Sequence, residues 1–136
     1  MSEIRKGRHC VFCLHAHLVF VTKYRRGAFD SESLELMEAV FSGVCKDFGA
    51  TLREFNGEAD HVHLLVDYPP KVCLSKLVNS LKGVSSRLVR QQSFSSVEHS
   101  LKSSKALWSP SYFAGSCGGA PLDIIKEYIQ SQRRPS

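Results

Sequence analysis

Thr51-Leu52-Arg53-Glu54-Phe55-Asn56-Gly57-Glu58-Ala59-Asp60-His61-Val62-His63-Leu64-Leu65-Val66-Asp67 is the stretch whose reading decides the fold. Residues 51–55 and 61–67 have the short, apolar-rich pattern of strands, and Asn56-Gly57 is a dipeptide suited to a hairpin turn. Successive side chains on a strand point to opposite faces. His61 and His63 therefore share one face of the second strand, while Val62, Leu64 and Val66 cover the other.

Upstream of this hairpin, Asp30 or Ser31 can cap a helix whose apolar positions Leu34, Met37, Phe41, Val44 and Phe48 recur at spacings of three and four. Gly49 stops it. Before the helix, Val11 to Val21 reads as a strand ending at the basic loop Lys23-Tyr24-Arg25-Arg26-Gly27. Downstream, Tyr68-Pro69-Pro70 breaks the sheet because proline has no N–H for a ladder. A second amphipathic helix is expected from Leu74 to Gln91. Leu74, Leu77, Val78, Leu81 and Leu88 face inward on it, and Asn79, Lys82, Ser86 and Arg90 face outward. After a Ser-rich loop over 93–104, Leu107 to Phe113 reads as a strand that Pro110 confines to an edge or bulge. Gly118-Gly119 turns the chain, and Pro121 suits the first position of a last helix. The order strand, helix, strand, strand, helix, strand, helix specifies an α+β chain. It is a ferredoxin-like, split-βαβ antiparallel sheet with helices packed on it plus a C-terminal helix, one domain over 1–136.

Composition bounds the function. The 136 residues are 43% hydrophobic and 23% charged, ordinary values for a globular protein. Lys and Arg number 18 against 13 Asp and Glu, a net charge of +5 that favours a polyanionic partner. No apolar run reaches the roughly 18 residues that span a bilayer, and Met1 to Arg8 lacks the apolar stretch of a signal peptide, so the expectation is a cytoplasmic protein without a membrane partner. Five cysteines in such a chain do not form a disulfide framework and read as small buried hydrophobes. His9, Cys10, Cys13, His15 and His17 make a poor zinc set, because residues three apart on a strand point to opposite faces.

Two places can carry chemistry. Imidazoles of His61 and His63, side by side on a sheet, form a ready pair of metal ligands, and Asp60 can orient one ring. They can equally be polar residues on a solvated face. His15-Ala16-His17 has the same spacing, so spacing alone does not choose. On the last helix, Tyr128 and Gln132 lie one turn apart on one face. A phenol can act as nucleophile in phosphoryl transfer, and an amide oxygen can be a third ligand. Leu122, Ile125, Tyr128 and Ile129 also read as a plain core stripe.

Taken together, five blocks resemble the TnpA-type, single-tyrosine HUH transposases of small bacterial and archaeal insertion sequences, REP-associated relatives included. They are His17-Leu18-Val19-Phe20-Val21-Thr22-Lys23-Tyr24-Arg25-Arg26, Asp60-His61-Val62-His63-Leu64-Leu65-Val66, Leu77-Val78-Asn79-Ser80-Leu81-Lys82-Gly83 with Ser86-Arg87, Leu107-Trp108-Ser109-Pro110-Ser111-Tyr112-Phe113 and Tyr128-Ile129-Gln130-Ser131-Gln132. The resemblance runs over nearly the whole chain. It implies His61, His63 and Gln132 as ligands of Mg²⁺ or Mn²⁺, Tyr128 as nucleophile, and a homodimer acting on single-stranded DNA with terminal hairpins. No nucleotide cofactor is implied, because the energy of the cut bond is kept in a 5′-phosphotyrosine. The DNA path is expected along Lys23, Tyr24, Arg25 and Arg26 and along Lys82, Arg87 and Arg90. Tyr24, Trp108, Tyr112 and Phe113 are candidates for stacking on bases, although Trp108 and Phe113 also fit a core. Ala59 departs from the family, whose members commonly have proline there, and the sequence closes four residues after Gln132. Two alternatives share the residues: a domesticated protein that binds hairpin repeats without transposing, and a replicative or conjugative nicking enzyme.

Overall fold

The computed structural model describes residues 5–6, 11–12, 14–92, 106–116 and 122–132, with the backbone alone for 5–6, 11–12 and 122–126. The elements are β1 (Arg5–Lys6), β2 (Val11–Phe12), β3 (His15–Val21), α1 (Ser31–Asp47), β4 (Thr51–Gly57), β5 (His61–Asp67), α2 (Leu74–Gln91), β6 (Phe113–Ser116) and α3 (Leu122–Ser131). β4, β5, β3 and β6 form one sheet in that order, with every neighbouring pair antiparallel. The first and second strands of the expected βαβ unit, β3 and β4, are separated by β5, as the split plan requires.

The sheet has two unlike faces. Ala16, Leu18 and Phe20 of β3 and Val62, Leu64 and Val66 of β5 join Met37, Phe41 and Val44 of α1 and Leu77, Val78, Leu81 and Val89 of α2 in the main core. Phe20 is the hub there, with Phe41 and Trp108 edge-on at 5.9 and 5.7 Å. The opposite face carries His17, Val19 and Val21 beside His61, His63 and Leu65. The register sets Val19 opposite His63 and Val21 opposite His61.

Both long helices form where their sequence signals place them. Asp30 caps α1 by accepting from the Ser33 N–H, and the Ser33 hydroxyl accepts in return from the Asp30 N–H. Gly49, at φ 72°, ends α1 in a left-handed turn. On α2 the buried stripe is Leu77, Val78, Leu81, Ser85 and Val89; Leu74 and Leu88 are only partly buried. The stripe is rotated from the expected one because Ser85, though polar, is needed inside, where its hydroxyl accepts from the buried Trp108 indole N–H at 3.0 Å.

Three boundaries differ from the sequence expectation. The first strand does not run from Val11 to Val21: Val11–Phe12 pairs with Arg5–Lys6, and the main-sheet strand starts at His15. His15 lies opposite Asp67, the end of β5, and Pro69-Pro70 then removes any further partner. The hairpin does not turn at Asn56-Gly57; β4 runs through Gly57 and the chain turns at Ala59-Asp60. Tertiary bonds override the local signal: the Ala59 carbonyl accepts from Ala28 and Phe29, and the Asp60 carbonyl from Thr22. Gly57 is instead a place of close approach, where a Cβ would stand 2.4 Å from a Leu34 methyl.

The third difference is the most consequential. Leu107–Phe113 is not a strand. Trp108 makes a single bridge to Thr22, residues 109–112 bulge away opposite Phe20 and Val21, and regular pairing resumes at Phe113 opposite Val19. Pro110 cannot donate to the ladder, and Lys82 holds the bulge by donating to the Ser109 and Ser111 carbonyls at 2.7 and 3.0 Å. The expected edge strand or bulge is therefore realised as both, in succession.

Candidate active site

β5 holds His61 and His63 on the face away from α1 and α2, with ring centroids 5.0 Å apart and planes at 80°. Asp60 sits at the turn just before the strand, and its Oδ1 lies 2.7 Å from His61 Nδ1. A carboxylate only accepts, so Nδ1 of His61 carries a hydrogen, and the lone pair of the neutral ring lies on Nε2. The other Asp60 oxygen accepts from Arg25 Nε at 3.0 Å. Arg25 and Tyr24 both adopt left-handed φ, 56° and 60°, a conformation costly for side chains of their size. That turn points the guanidinium back at the sheet.

His63 lies deeper. Burial, aided by His61 and His17, pushes its pKa down to about 4, so its ring is neutral at physiological pH. Its Nδ1 is 3.3 Å from Nε2 of His17, and the rings are 5.4 Å apart. Burial also lowers the His17 pKa, with Glu54 acting in the opposite sense. The second histidine pair of the sequence is thus split. His17 joins the site, whereas His15 pairs with the buried Asp67, which Arg53 also reaches at 3.4 Å. Of the other zinc candidates, His9, Cys10 and Cys13 lie outside the described residues, as does Cys117. Cys45 is buried as expected, but Cys73 is exposed.

α3 packs on the same sheet face. Tyr128 and Ile129 join Phe113 over the buried Val19 and Val21, the residues paired with His63 and His61. Tyr128 stacks at a tilt on Phe113, 5.8 Å between centroids, and its hydroxyl is 2.8 Å from Ser111 Oγ. Burial raises the phenol pKa, and the Ser111 contact offsets part of that rise. The Gln132 side-chain oxygen accepts from Ser109 Oγ at 2.5 Å and from Ser111 Oγ at 3.2 Å. The side chains of Leu122 and Ile125 lie outside the described residues.

The structure brings His61, His63 and Asp60 together, and Tyr128 with Gln132, on one sheet face. Among the described residues no hydrogen bond or ring contact joins the two groups, and no three His, Cys, Asp or Glu side chains converge as a metal site. Two imidazoles side by side, one anchored through Nδ1 on Asp60, fit a divalent metal as a pair of ligands, so a further donor has to be of another kind, such as an amide oxygen. Ser109 and Ser111 went unnoticed in the sequence as contacts of Tyr128 and Gln132, since only the bulge places them there.

The basic residues divide. Tyr24 is exposed, with Lys23 and Arg26 each 5.6 Å from its ring, and Arg87 and Arg90 are exposed on α2. Lys82 is not on an exposed face as expected. It is half-buried beside Phe20 and Tyr112, and burial lowers its pKa. Trp108 is core, 6% exposed, and is not available for base stacking. No helix among the described residues is long and apolar enough to cross a membrane.

Comparison with known proteins gives the family. The family model described as "Transposase IS200 like" matches residues 10–132. The transposase for insertion sequence element IS200 of Salmonella typhimurium is 30% identical over 132 residues, covering 97% of this chain and 85% of that protein. The ISDra2 transposase TnpA of Deinococcus radiodurans is 28% identical, covering 96% and 91%. A crystal structure of a transposase from Deinococcus radiodurans superposes with a TM-score of 0.83 at 27% identity, covering 96% of this chain and 99% of that one. A REP-associated tyrosine transposase bound to a REP hairpin shares the fold, with a TM-score of 0.53 at 13% identity over 95% of this chain and 68% of that one. The match runs along almost the entire length of the chain, and the chain belongs to the IS200-like transposase family.

Proposed function

We propose that this transposase cuts and rejoins single-stranded DNA through Tyr128, with His61, His63 and Gln132 as ligands of Mg²⁺ or Mn²⁺. The observation that carries the reading is the placement of α3 over Val19 and Val21, which puts Tyr128 on the sheet face that presents His61 and His63. When bound, the metal would draw charge from the scissile phosphate and so lower the demand on a phenol whose pKa lies above the ordinary value.

Tyr128 attacks phosphorus in line. The phenol gives up its proton as its oxygen bonds to phosphorus, and the bond from phosphorus to the 3′ oxygen breaks. That oxygen takes up a proton and leaves as a free 3′-OH, while the phosphate stays on the 5′ end as phosphotyrosine. A 3′-OH from another end then attacks the phosphotyrosine and restores the phenol. His61 and His63 would contribute the nitrogen donors, Asp60 and Arg25 hold the His61 ring, and Ser111 keeps the Tyr128 hydroxyl at the face. To hold the metal, the Gln132 side-chain oxygen would give up the hydroxyls of Ser109 and Ser111.

Terminal hairpins are the proposed DNA partner, supported by the REP hairpin on the neighbour of like fold. Lys23, Tyr24, Arg26, Arg87 and Arg90 are the proposed contacts, and the working unit is read as a cytoplasmic homodimer. Labelled single-stranded DNA from the flanks of the gene, incubated with protein and Mn²⁺, tests the chemistry. Wild type is expected to form a covalent adduct that Tyr128→Phe abolishes while retaining DNA binding. An undiminished adduct in Tyr128→Phe would sink the assignment.

A further inference from the structure

An imidazole can offer a metal only one nitrogen, and the hydrogen on the other nitrogen fixes which one. For His61 the question is closed by Asp60, since its carboxylate can only accept from Nδ1. His63 has no carboxylate. Its Nδ1 faces another imidazole nitrogen, Nε2 of His17 at 3.3 Å, and a single hydrogen has to lie between them. If His17 donates it, His63 must carry its own hydrogen on Nε2 and has no lone pair to offer outward. If His63 donates it, Nε2 of His63 is open.

The sheet builds this contact. Val19 is opposite His63, so His17, two residues earlier and on the same face, is the diagonal neighbour across the β3–β5 pair, within reach of a ring. Phe113 of β6 stands edge-on to His17 from its other side, with centroids 6.5 Å apart. The His17 ring is thus flanked by the ring it orients and by an aromatic wall. His15, with the same sequence spacing to its neighbours, faces Asp67 at the far end of the strand.

We infer that His17 is a positioning residue for His63: its Nε2 accepts the Nδ1 hydrogen of His63 and thereby leaves His63 Nε2 as the metal-facing lone pair. This rests on the metal reading of His61 and His63. It assigns the His-x-His of β3 a task without making it a ligand. The two ligands then differ in kind, one ring being backed by a carboxylate and an arginine, the other by a neutral imidazole.

Long-range proton–nitrogen NMR of ¹⁵N-histidine-labelled protein in EDTA reads the tautomers directly. His63 is expected with hydrogen on Nδ1, and His17 likewise on its own Nδ1. In His17→Leu, with thermal unfolding monitored to verify the fold, His63 should shift toward the Nε2–H form, and Mn²⁺ affinity measured by EPR titration should fall about 10–100-fold. His17→Gln, whose side-chain oxygen can occupy the place of Nε2, should recover most of both. A wild-type His63 with hydrogen on Nε2, or a His17→Leu variant with unchanged tautomer and affinity, would overturn the inference. So would loss of affinity in His17→Gln equal to that in His17→Leu, which would make His17 itself a ligand. The expected tautomers and their shift in His17→Leu, with no Mn²⁺ binding by any variant, would uphold the hydrogen bond and remove the metal reading alone.

Discussion

At the residue scale the site pairs nitrogens with oxygens, and burial shifts His63, His17 and Tyr128 away from their ordinary pKa values. His63, with its pKa lowered to about 4 against an ordinary 6.5, is neutral in the fold. Between those values the unfolded chain binds a proton that the folded one refuses, so stability of metal-free protein should fall as pH drops from about 6.5 to 4 and level off below. The full shift is an upper bound because the ring is partly solvated, and a loss on the order of 1–2 kcal/mol is expected after screening. Urea unfolding in EDTA at pH 7 and pH 5 measures it, and His63→Gln should flatten the difference. A second expectation concerns Gln132. Ser109 and Ser111 hydroxyls occupy the oxygen proposed for the metal. Replacing both serines by alanine releases that oxygen at about 0.5–1.5 kcal/mol per hydrogen bond, so apparent Mn²⁺ affinity should rise severalfold in a calorimetric titration. Unchanged or weaker binding would make the serines supports of the ligand instead of competitors. Of this scale, strand alternation and one helical turn put His61 with His63, and Tyr128 with Gln132, on shared faces, while the five-block resemblance, not spacing, singled them out over His15 and His17. His17 could not, since its task depends on a neighbour 46 residues away.

At the element scale, what was legible followed from local chemistry. The caps and apolar spacing of α1 and the span of α2 are fixed within their own windows, and the structure reproduces them. The hairpin turn and the strand after Trp108 were misplaced for a common reason. Carbonyls of Ala59 and Asp60 are claimed by Thr22, Ala28 and Phe29, and carbonyls of Ser109 and Ser111 by Lys82, all distant in sequence. Lys82 therefore acts on an element before it acts on any ligand. Lys82→Met keeps the aliphatic stem but leaves two carbonyls without their ammonium donor. A stability loss of about 1–3 kcal/mol is expected by urea denaturation, with slower adduct formation because the bulge positions Ser109 and Ser111. Wild-type stability in that variant would return Lys82 to the list of free surface cations.

At the scale of the whole molecule, the sheet divides labour between its faces. The face under α1 and α2 carries the main apolar core, built on β3 and β5 from Ala16, Leu18, Phe20, Val62, Leu64 and Val66. The other carries His17, His61 and His63 and, packed over Val19 and Val21, the tyrosine helix. The chain as a whole carries a net charge of +5, so affinity for single-stranded DNA should weaken with salt even where no base is read. The contribution of individual cations is separable. For single strands, each phosphate neutralised changes the slope of log affinity against log salt by about 0.7. Arg87 and Arg90 are exposed on α2, and Arg87→Gln with Arg90→Gln should together lower that slope by up to about 1.4 without altering the unfolding midpoint. Lys82→Met, by contrast, should shift the midpoint and leave the slope alone. Fluorescence anisotropy on a labelled oligonucleotide at several salt concentrations measures the slopes. Equal slopes for wild type and the double arginine variant would move the DNA path off α2 and onto the Lys23–Arg26 loop, whose exposed Tyr24 is flanked by two cations.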